Sequence, residues 1–359
     1  MTPNDLNDLN DPYLMHNMTL EPLSRRFFNF DRWIGASAIG SGNINDSYRI
    51  EFEIGGARQA WLLQRLNHHV FRDPDAVMRN IRLVCEHLQQ PGYEYRVVGP
   101  AAALDGALLQ RDEAGNYWRV FPFLDNSFTP EDLADADVAY EGARAYGAFA
   151  RALRDFPAAT LAETIPGFHD TDRRWEVFLE ILEKDPVQRV AGTQAEIEAM
   201  FGAKPVFDHI SRLKSSGALP LRVTHNDTKA GNVLFDLATR KAVAVIDLDT
   251  VMPGTILSDF GDMVRTFTPD RQEDDPAALT LRSDVLAALE RGFLEQTGDF
   301  LTGPEKDNLL PGAAWIVGEQ ALRFLTDWLA GDTYYKIKYP DHNLVRTRNQ
   351  LALFQKLNF

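Results

Sequence analysis

Hydrophobic and polar residues alternate first in "SYRIEFEI" (47–54), with Tyr48, Ile50, Phe52 and Ile54 on one face and Ser47, Arg49, Glu51 and Glu53 on the other. That is the period-two pattern of a half-buried strand. Gly55-Gly56 supplies a tight turn, and "ARQAWLLQRL" follows as the partner strand. The period then lengthens. Val77, Ile81, Val84 and Leu88 recur at helical spacing behind Asp73, a good N-cap, and Pro74 at the first helical position. Two further strands are predicted within "ALLQRDEAGNYWRVFPFL", turned at Ala114-Gly115-Asn116. The order to residue 124 is strand, strand, helix, strand, strand: a small antiparallel sheet carrying one helix.

Past "FPFLDNSFTP" the character changes. From about residue 132 the pattern is that of long helices: "DADVAYEGARAYGAFARALRDF", "TDRRWEVFLEILEKD", "AEIEAMFGAKPVFDHISRL", "LRSDVLAALERGFLEQTG" and "AAWIVGEQALRFLTDWLAGD". The boundary falls near Asp125–Ser127, giving an N-terminal region, 1–125, and a helical C-terminal region, 126–359. One stretch interrupts the helices. "NVLFD" and "AVAVID", joined by "LATRK", have the shape of a β-hairpin. The expected class is α+β.

Composition narrows the partners. With 359 residues, 45% of them hydrophobic, the chain can bury a sizeable core without staples, and its single cysteine, Cys85, rules out an internal disulfide framework. Cys85 lies in the helical pattern and reads as a small core residue, consistent with a reducing compartment. The polar, acidic N-terminus does not read as a signal peptide, and no run approaches the roughly 20 apolar residues of a membrane span. A soluble cytoplasmic protein with no membrane partner is expected. The formal charge of −15 repels polyphosphate backbones, so no nucleic-acid partner is expected either. A local pocket with magnesium and a few basic groups can still hold ATP.

The chemistry concentrates in "VTHNDTKAGNVLFD" (223–236), with "VIDLDT" after it. Asn232 starts one strand of the hairpin and Asp247 ends its partner, so the hairpin brings their side chains together. An amide oxygen and a carboxylate suit a hard cation such as Mg²⁺, which takes one or two protein oxygens and completes its shell with phosphate and water. Asp227 can accept or orient a hydroxyl proton, and Lys229 can neutralise charge on a transferred group. Singly, each of these residues is an ordinary turn residue. Their combination around an apolar hairpin is not.

His-x-Asp-x-x-x-x-Asn, a hairpin and then Ile-Asp resembles the catalytic loop and metal-binding segment of the protein-kinase-like superfamily. The form "HND…GN…IDLD" resembles its small-molecule branch, the aminoglycoside phosphotransferase and choline kinase families. The resemblance implies a two-lobed fold, a small antiparallel N-lobe with one helix and a larger, mainly helical C-lobe. It also implies ATP and Mg²⁺ as cofactors, Asp227 as the catalytic Asp, Asn232 and Asp247 as metal ligands, and Lys229 as a phosphate-contacting lysine. His225 would orient the loop, and Asp249 would support it. "SDFGD" (258–262) contains a literal Asp-Phe-Gly, but it lies beyond the hairpin that the metal ligand should close. Asp259 and Asp262 are therefore expected to anchor a loop or start a helix.

In the N-terminal region the turn "IGSGNIND" offers Gly40, Ser41 and Gly42 to cover ATP phosphates, with Asn45 where the kinase pattern wants a third glycine. The strand that carries a lysine in kinases reads "AWLLQRL", giving Gln64 and Arg65 on opposite faces. Glu86 is the candidate helix partner. Within the family, "GSGNINDSY", "LLQRLN", "IDLDTVMPG", "SDFGDMVR" and "RFLTDWLAGDTYYKIKYPDHNLVRTR" are most similar to the N-acetylhexosamine 1-kinase group. That similarity implies a small-molecule sugar acceptor, the anomeric hydroxyl of GlcNAc or GalNAc, and a sugar 1-phosphate product. Arg323 and Asp327, four apart on one helix face, are candidate acceptor contacts, with Asn43 and Asn45; Trp328, Tyr334 and Tyr335 are candidate stacking residues. Two other readings stay open: an aminoglycoside, choline or other amino-alcohol acceptor, and a nucleotide-binding module without transfer.

Overall fold

The computed structural model describes residues 20–39, 44–130 and 135–357. They form two compact units, one of residues up to 89 together with 97–126, the other of 90–96 and 127 onward.

The first unit contains β1 (Arg32–Ala38), β2 (Asp46–Ile54), β3 (Ala57–Leu66), α1 (Pro74–Leu88), β4 (Gln110–Arg111) and β5 (Tyr117–Pro122). The sheet is antiparallel throughout, in the order β1-β2-β3-β5-β4. The β2–β3 hairpin turns on Gly55 and Gly56, at φ 58° and 78°, where L-residues with a Cβ are disfavoured. Its register sets Asp46 opposite Arg65 and Ser47 opposite Gln64. Ile50 and Phe52 are fully buried as the alternation requires, and with Leu63, Phe30 and Val120 they form the core. Ile54, predicted on that face, is 41% exposed because the strand ends there at the turn. β1 has no counterpart in the sequence reading. Only Ala36 of its residues is buried, and an irregularity between Trp33 and Gly35 breaks its period.

Helix α1 starts as its punctuation predicts, with the Asp73 side chain accepting from the Ala76 N–H and Pro74 in the first turn. Val77, Ile81, Val84 and Leu88 face inward. Cys85 lies among them, and burial pushes its thiol up to about 12, which makes it unreactive.

The second unit comprises β6 (Ser127–Phe128), α2 (Ala136–Ala152), α3 (Thr171–Lys184), α4 (Gln194–Ser215), β7 (Arg222–Thr224), β8 (Val233–Asp236), β9 (Ala242–Val245), β10 (Met252–Gly254), α5 (Ile256–Phe267), α6 (Ser283–Thr297), α7 (Gly303–Asp307), α8 (Leu309–Ala330) and α9 (His342–Lys356). The apolar helix α8 packs against α3, α4, α5 and α9. Helix α2 packs on α6 closely enough that a Cβ at Gly292 would clash with the Tyr140 carbonyl oxygen. The predicted hairpin is β8–β9, with β6 as a third strand beside β8, while β7 pairs with β10. Among the described residues, no helix is long and apolar enough to cross a membrane.

Candidate active site

Strand β7 delivers the chain to His225, whose backbone N–H donates to Asp259 Oδ2 at 2.9 Å; that of Asn226 donates to Asp259 Oδ1 at 2.8 Å. The Thr228 hydroxyl donates to the Asp259 carbonyl. Asp259 and Asp262 lie inside α5, so the literal Asp-Phe-Gly serves as the anchor under the loop. Asn226 takes a left-handed backbone (φ 63°), which asparagine tolerates and which turns the next residue outward. His225 is fully buried. Its Nε2 donates to the Ile246 carbonyl at 3.0 Å and its Nδ1 accepts from the Asp227 N–H at 3.3 Å, so its partners fix the tautomer and tie the loop to the hairpin.

Asp227 Oδ2 accepts from Lys229 Nζ at 2.7 Å and from Asn232 Nδ2 at 2.8 Å. Burial acts to raise its pKa, but the Lys229 charge and hydrogen bond outweigh burial and hold the carboxyl below its ordinary value. Burial likewise works against the Lys229 ammonium, and the charges of Asp227 and Asp247 prevail and raise its pKa. The two groups therefore face neutral solution as an ion pair. Beneath them Tyr146 donates to the Lys229 carbonyl at 2.8 Å and sets its ring edge-on to His225.

The Asn232 carbonyl accepts from the Ile246 N–H at 2.9 Å, so the hairpin sets Asn232 level with the residue before Asp247. Both Asn232 amide donations go to Asp227, which leaves the amide oxygen as the available ligand atom. Asp247 is exposed at the end of β9 with φ 61°. One amide oxygen and one carboxylate fit a hard divalent cation that completes its shell with phosphate and water. Among the described residues there is no cluster of three or more His, Cys, Asp or Glu that would cage an ion from protein alone.

Asp227 also lines a cavity of about 160 Å³. Asn226, Asp262 and Arg265 form one side; Ile316, Glu319, Gln320 and Arg323 of α8 form another; Phe168, His169 and Tyr335 close it. Its acidic groups are already paired. Glu319 accepts from His169 Nδ1 at 2.8 Å and from the Thr171 hydroxyl, with Arg174 at 3.8 Å. Burial would raise the Glu319 carboxyl, yet these partners bring it down to about 2. Asp262 Oδ1 is held by Arg265 at 2.8 Å. Buried polar atoms of the lining remain open: among the described residues Asp262 Oδ2 and His169 Nε2 have no hydrogen-bond partner.

The structure brings Asp227, Lys229 and Asn232 into direct contact and sets Asp247 beside them on the hairpin. Arg323 lines the cavity, bonded to Gln320 at 3.2 Å, as does Tyr335. Asp327 does not face the cavity with Arg323; it is buried and accepts the backbone N–H groups of 333–335. Trp328 is a core residue under Arg189, and Tyr334 is 70% exposed. Asp249 is buried in the turn after Asp247. Gly40, Ser41, Gly42 and Asn43 lie outside the described residues.

In the first unit Asn45 accepts from the Asn67 N–H, Arg65 is paired with Asp46, and Glu86 with Arg82 on the helix surface. Gln64 donates to the Ser47 hydroxyl at 2.9 Å and accepts from the guanidinium of Arg119, directly opposite on β5. Arg119 is 1% exposed and was not predicted; "YWRVF" shows only one charge in an apolar strand. His169 left no sequence signal. Glu319 did, as a carboxylate four residues before Arg323 in an apolar helix.

Asp259 carries a measurable consequence. Burial dominates and raises its pKa to about 6. A carboxyl whose folded pKa exceeds its unfolded value contributes most stability below the ordinary carboxylate range and loses it as pH rises through about 6. The unfolding free energy of wild type relative to Asp259→Asn should therefore fall by up to ~3 kcal/mol between pH 4 and 7. Denaturant titrations of both proteins across that range check it. A pH-independent difference would remove this electrostatic account.

A five-stranded antiparallel sheet carrying helix α1, followed by a helical unit whose hairpin presents these groups, is the protein-kinase-like α+β fold. Solved structures share it at low identity. An aminoglycoside phosphotransferase from Alicyclobacillus acidocaldarius is 14% identical, with TM-score 0.61 over 93% of each chain. A microcompartment-associated aminopropanol kinase is 16% identical, with TM-score 0.64 over 94% of this chain and 96% of that one. Choline kinase from Cryptosporidium parvum is 14% identical, with TM-score 0.56 over 95% and 96%. A family model described as "Phosphotransferase enzyme family" matches residues 35–295, and the chain belongs to that family.

Proposed function

We propose that this protein is an ATP-dependent, Mg²⁺-assisted kinase of a small neutral sugar, transferring the γ-phosphate to the anomeric hydroxyl of GlcNAc or GalNAc to give the sugar 1-phosphate. One observation carries the neutral acceptor. Asp227 borders a cavity in which Asp262 is ion-paired through Oδ1 with Arg265 and Glu319 is held by His169 and Thr171, with Arg174 at 3.8 Å, while Asp262 Oδ2 and His169 Nε2 remain open. Such a lining favours hydroxyls and amides over an ammonium, which would need a carboxylate without a cationic partner. The choice of hexosamine rests on the similarity of the motifs to the N-acetylhexosamine 1-kinase group.

In this reading the acceptor hydroxyl donates to Asp227, which aims its oxygen at the γ-phosphorus and takes the proton as the new P–O bond forms. Lys229 balances charge on the transferred group. Asn232 and Asp247 would hold Mg²⁺, which when bound neutralises phosphate charge. On the nucleotide side, Gly40, Ser41, Gly42 and Gln64 would hold the phosphates.

The reading predicts ADP release with MgATP on GlcNAc and GalNAc and an acid-labile phosphorylated product. Kanamycin and choline should run at least about tenfold slower, the cost of one unmatched charge in a neutral pocket. Turnover on the cationic acceptors alone would replace the substrate, bringing this protein closer in use to the aminopropanol and choline kinases. ATP binding without transfer to any acceptor would favour a binding module.

A further inference from the structure

Helix α8 ends at a loop that two carboxylates hold in an uncommon shape. Gly331 and Asp332 are both left-handed, at φ 95° and 58°, which turns the chain back over the helix end. Asp327, 5% exposed, sits under this turn. Its Oδ1 accepts the N–H groups of Thr333 at 2.9 Å and Tyr334 at 2.8 Å, and its Oδ2 accepts that of Tyr335 at 3.0 Å. The Asn343 amide donates to Asp327 Oδ2 at 2.9 Å and to Asp332 Oδ1 at 2.8 Å, coupling the two carboxylates. Arg189 then pairs with Asp332 at 2.6 Å and caps the Trp328 carbonyl at 2.7 Å.

Three consecutive backbone N–H groups converging on one buried carboxylate fix the path of residues 333–335. The last of these is the cavity wall. Tyr335 lines the cavity, packs on Phe324 at a ring separation of 4.8 Å, and has the Arg323 guanidinium 5.7 Å from its ring. We infer that Asp327 is a positioning residue that places Tyr335, and through it the Arg323 side of the pocket, for the acceptor. The inference rests on the cavity being the acceptor site. Asp327 touches neither nucleotide nor acceptor, and its influence falls on acceptor binding.

Asp327→Asn tests this, because the amide is isosteric but replaces one acceptor oxygen with a donor facing N–H groups. Steady-state constants are measured for wild type, Asp327→Asn, Tyr335→Ala and the double variant, on whichever acceptor wild type phosphorylates. Each single variant should raise acceptor KM about tenfold, the effect of one lost hydrogen bond to a buried charge, with ATP KM unchanged within about twofold. The double variant should be no worse than Tyr335→Ala alone. Additive effects, or equal rises in both KM values, would overturn the inference. If Asp327→Asn does not fold, Asn343→Ser, which removes one donor from the same carboxylate, takes its place in the cycle with the same outcomes. Failure of the hexosamine reading would appear separately, as wild-type turnover on cationic acceptors only. A wild type that phosphorylates nothing removes both.

Discussion

Asp227→Asn lowers turnover by about 10² to 10⁴, the range for loss of a positioned acid–base group, and leaves ATP affinity largely intact. Asparagine preserves the size of the side chain and one oxygen for Lys229, so the loop keeps its shape. What disappears is the charge that, in the proposed mechanism, orients the hydroxyl and receives its proton. The pH profile adds a second check. Burial would raise the Asp227 carboxyl, yet Lys229 and Asn232 lower it overall. A lowered folded-state pKa keeps the ionised form present throughout the range above about 4, the ordinary carboxylate value, and it is lost only under stronger acid. Protonation of Asp227 should therefore produce no fall in kcat/KM between pH 8 and 5. An acid limb near pH 6 that persists in Asp227→Asn but disappears in Asp259→Asn would trace to the anchor beneath the loop. Full activity in Asp227→Asn would remove the catalytic assignment.

Local signals account for what the sequence revealed and what it hid. The β2–β3 hairpin and α1 were legible because each has a period and punctuation: alternation to Phe52, paired glycines at the turn, Asp73 and Pro74 at the helix start. β1 was hidden because it buries one residue and carries an irregularity, so it has no period to read. The "HND…GN…IDLD" cluster was legible because its residues are near neighbours in sequence and need only one hairpin to meet. His169 and Glu319 are brought together from residues 150 apart, by the packing of the segment before α3 against α8. No local pattern announces such a pair. Asp327 shows the opposite limit: its spacing from Arg323 pointed to one helix face, but the left-handed turn after Ala330 supplies backbone donors that compete successfully for the carboxylate.

Asp247→Ala should abolish most of the magnesium-dependent part of nucleotide affinity, a loss of about 10- to 100-fold in ATP binding with Mg²⁺ present, the scale of one charged ligand. Affinity with EDTA should hardly change. Calorimetric titration of ATP in the two conditions reads this directly, without any acceptor. The substitution has a second effect that must be separated from the first. Asp247 is left-handed (φ 61°), a conformation that alanine adopts at a cost of roughly 1–2 kcal/mol and asparagine more readily. Asp247→Asn keeps the backbone and one neutral oxygen while removing the charge. If backbone strain were the cause, Asn would restore affinity and Ala would weaken binding equally with and without the metal. If the carboxylate holds Mg²⁺, both variants lose the magnesium-dependent increment, Asn less severely, and their affinities in EDTA remain that of wild type. The Lys229 ammonium gives an internal control. Asp247 is one of the charges that raise its pKa, second to Asp227. Removing Asp247 should therefore lower the Lys229 pKa, and removing Asp227 should lower it more.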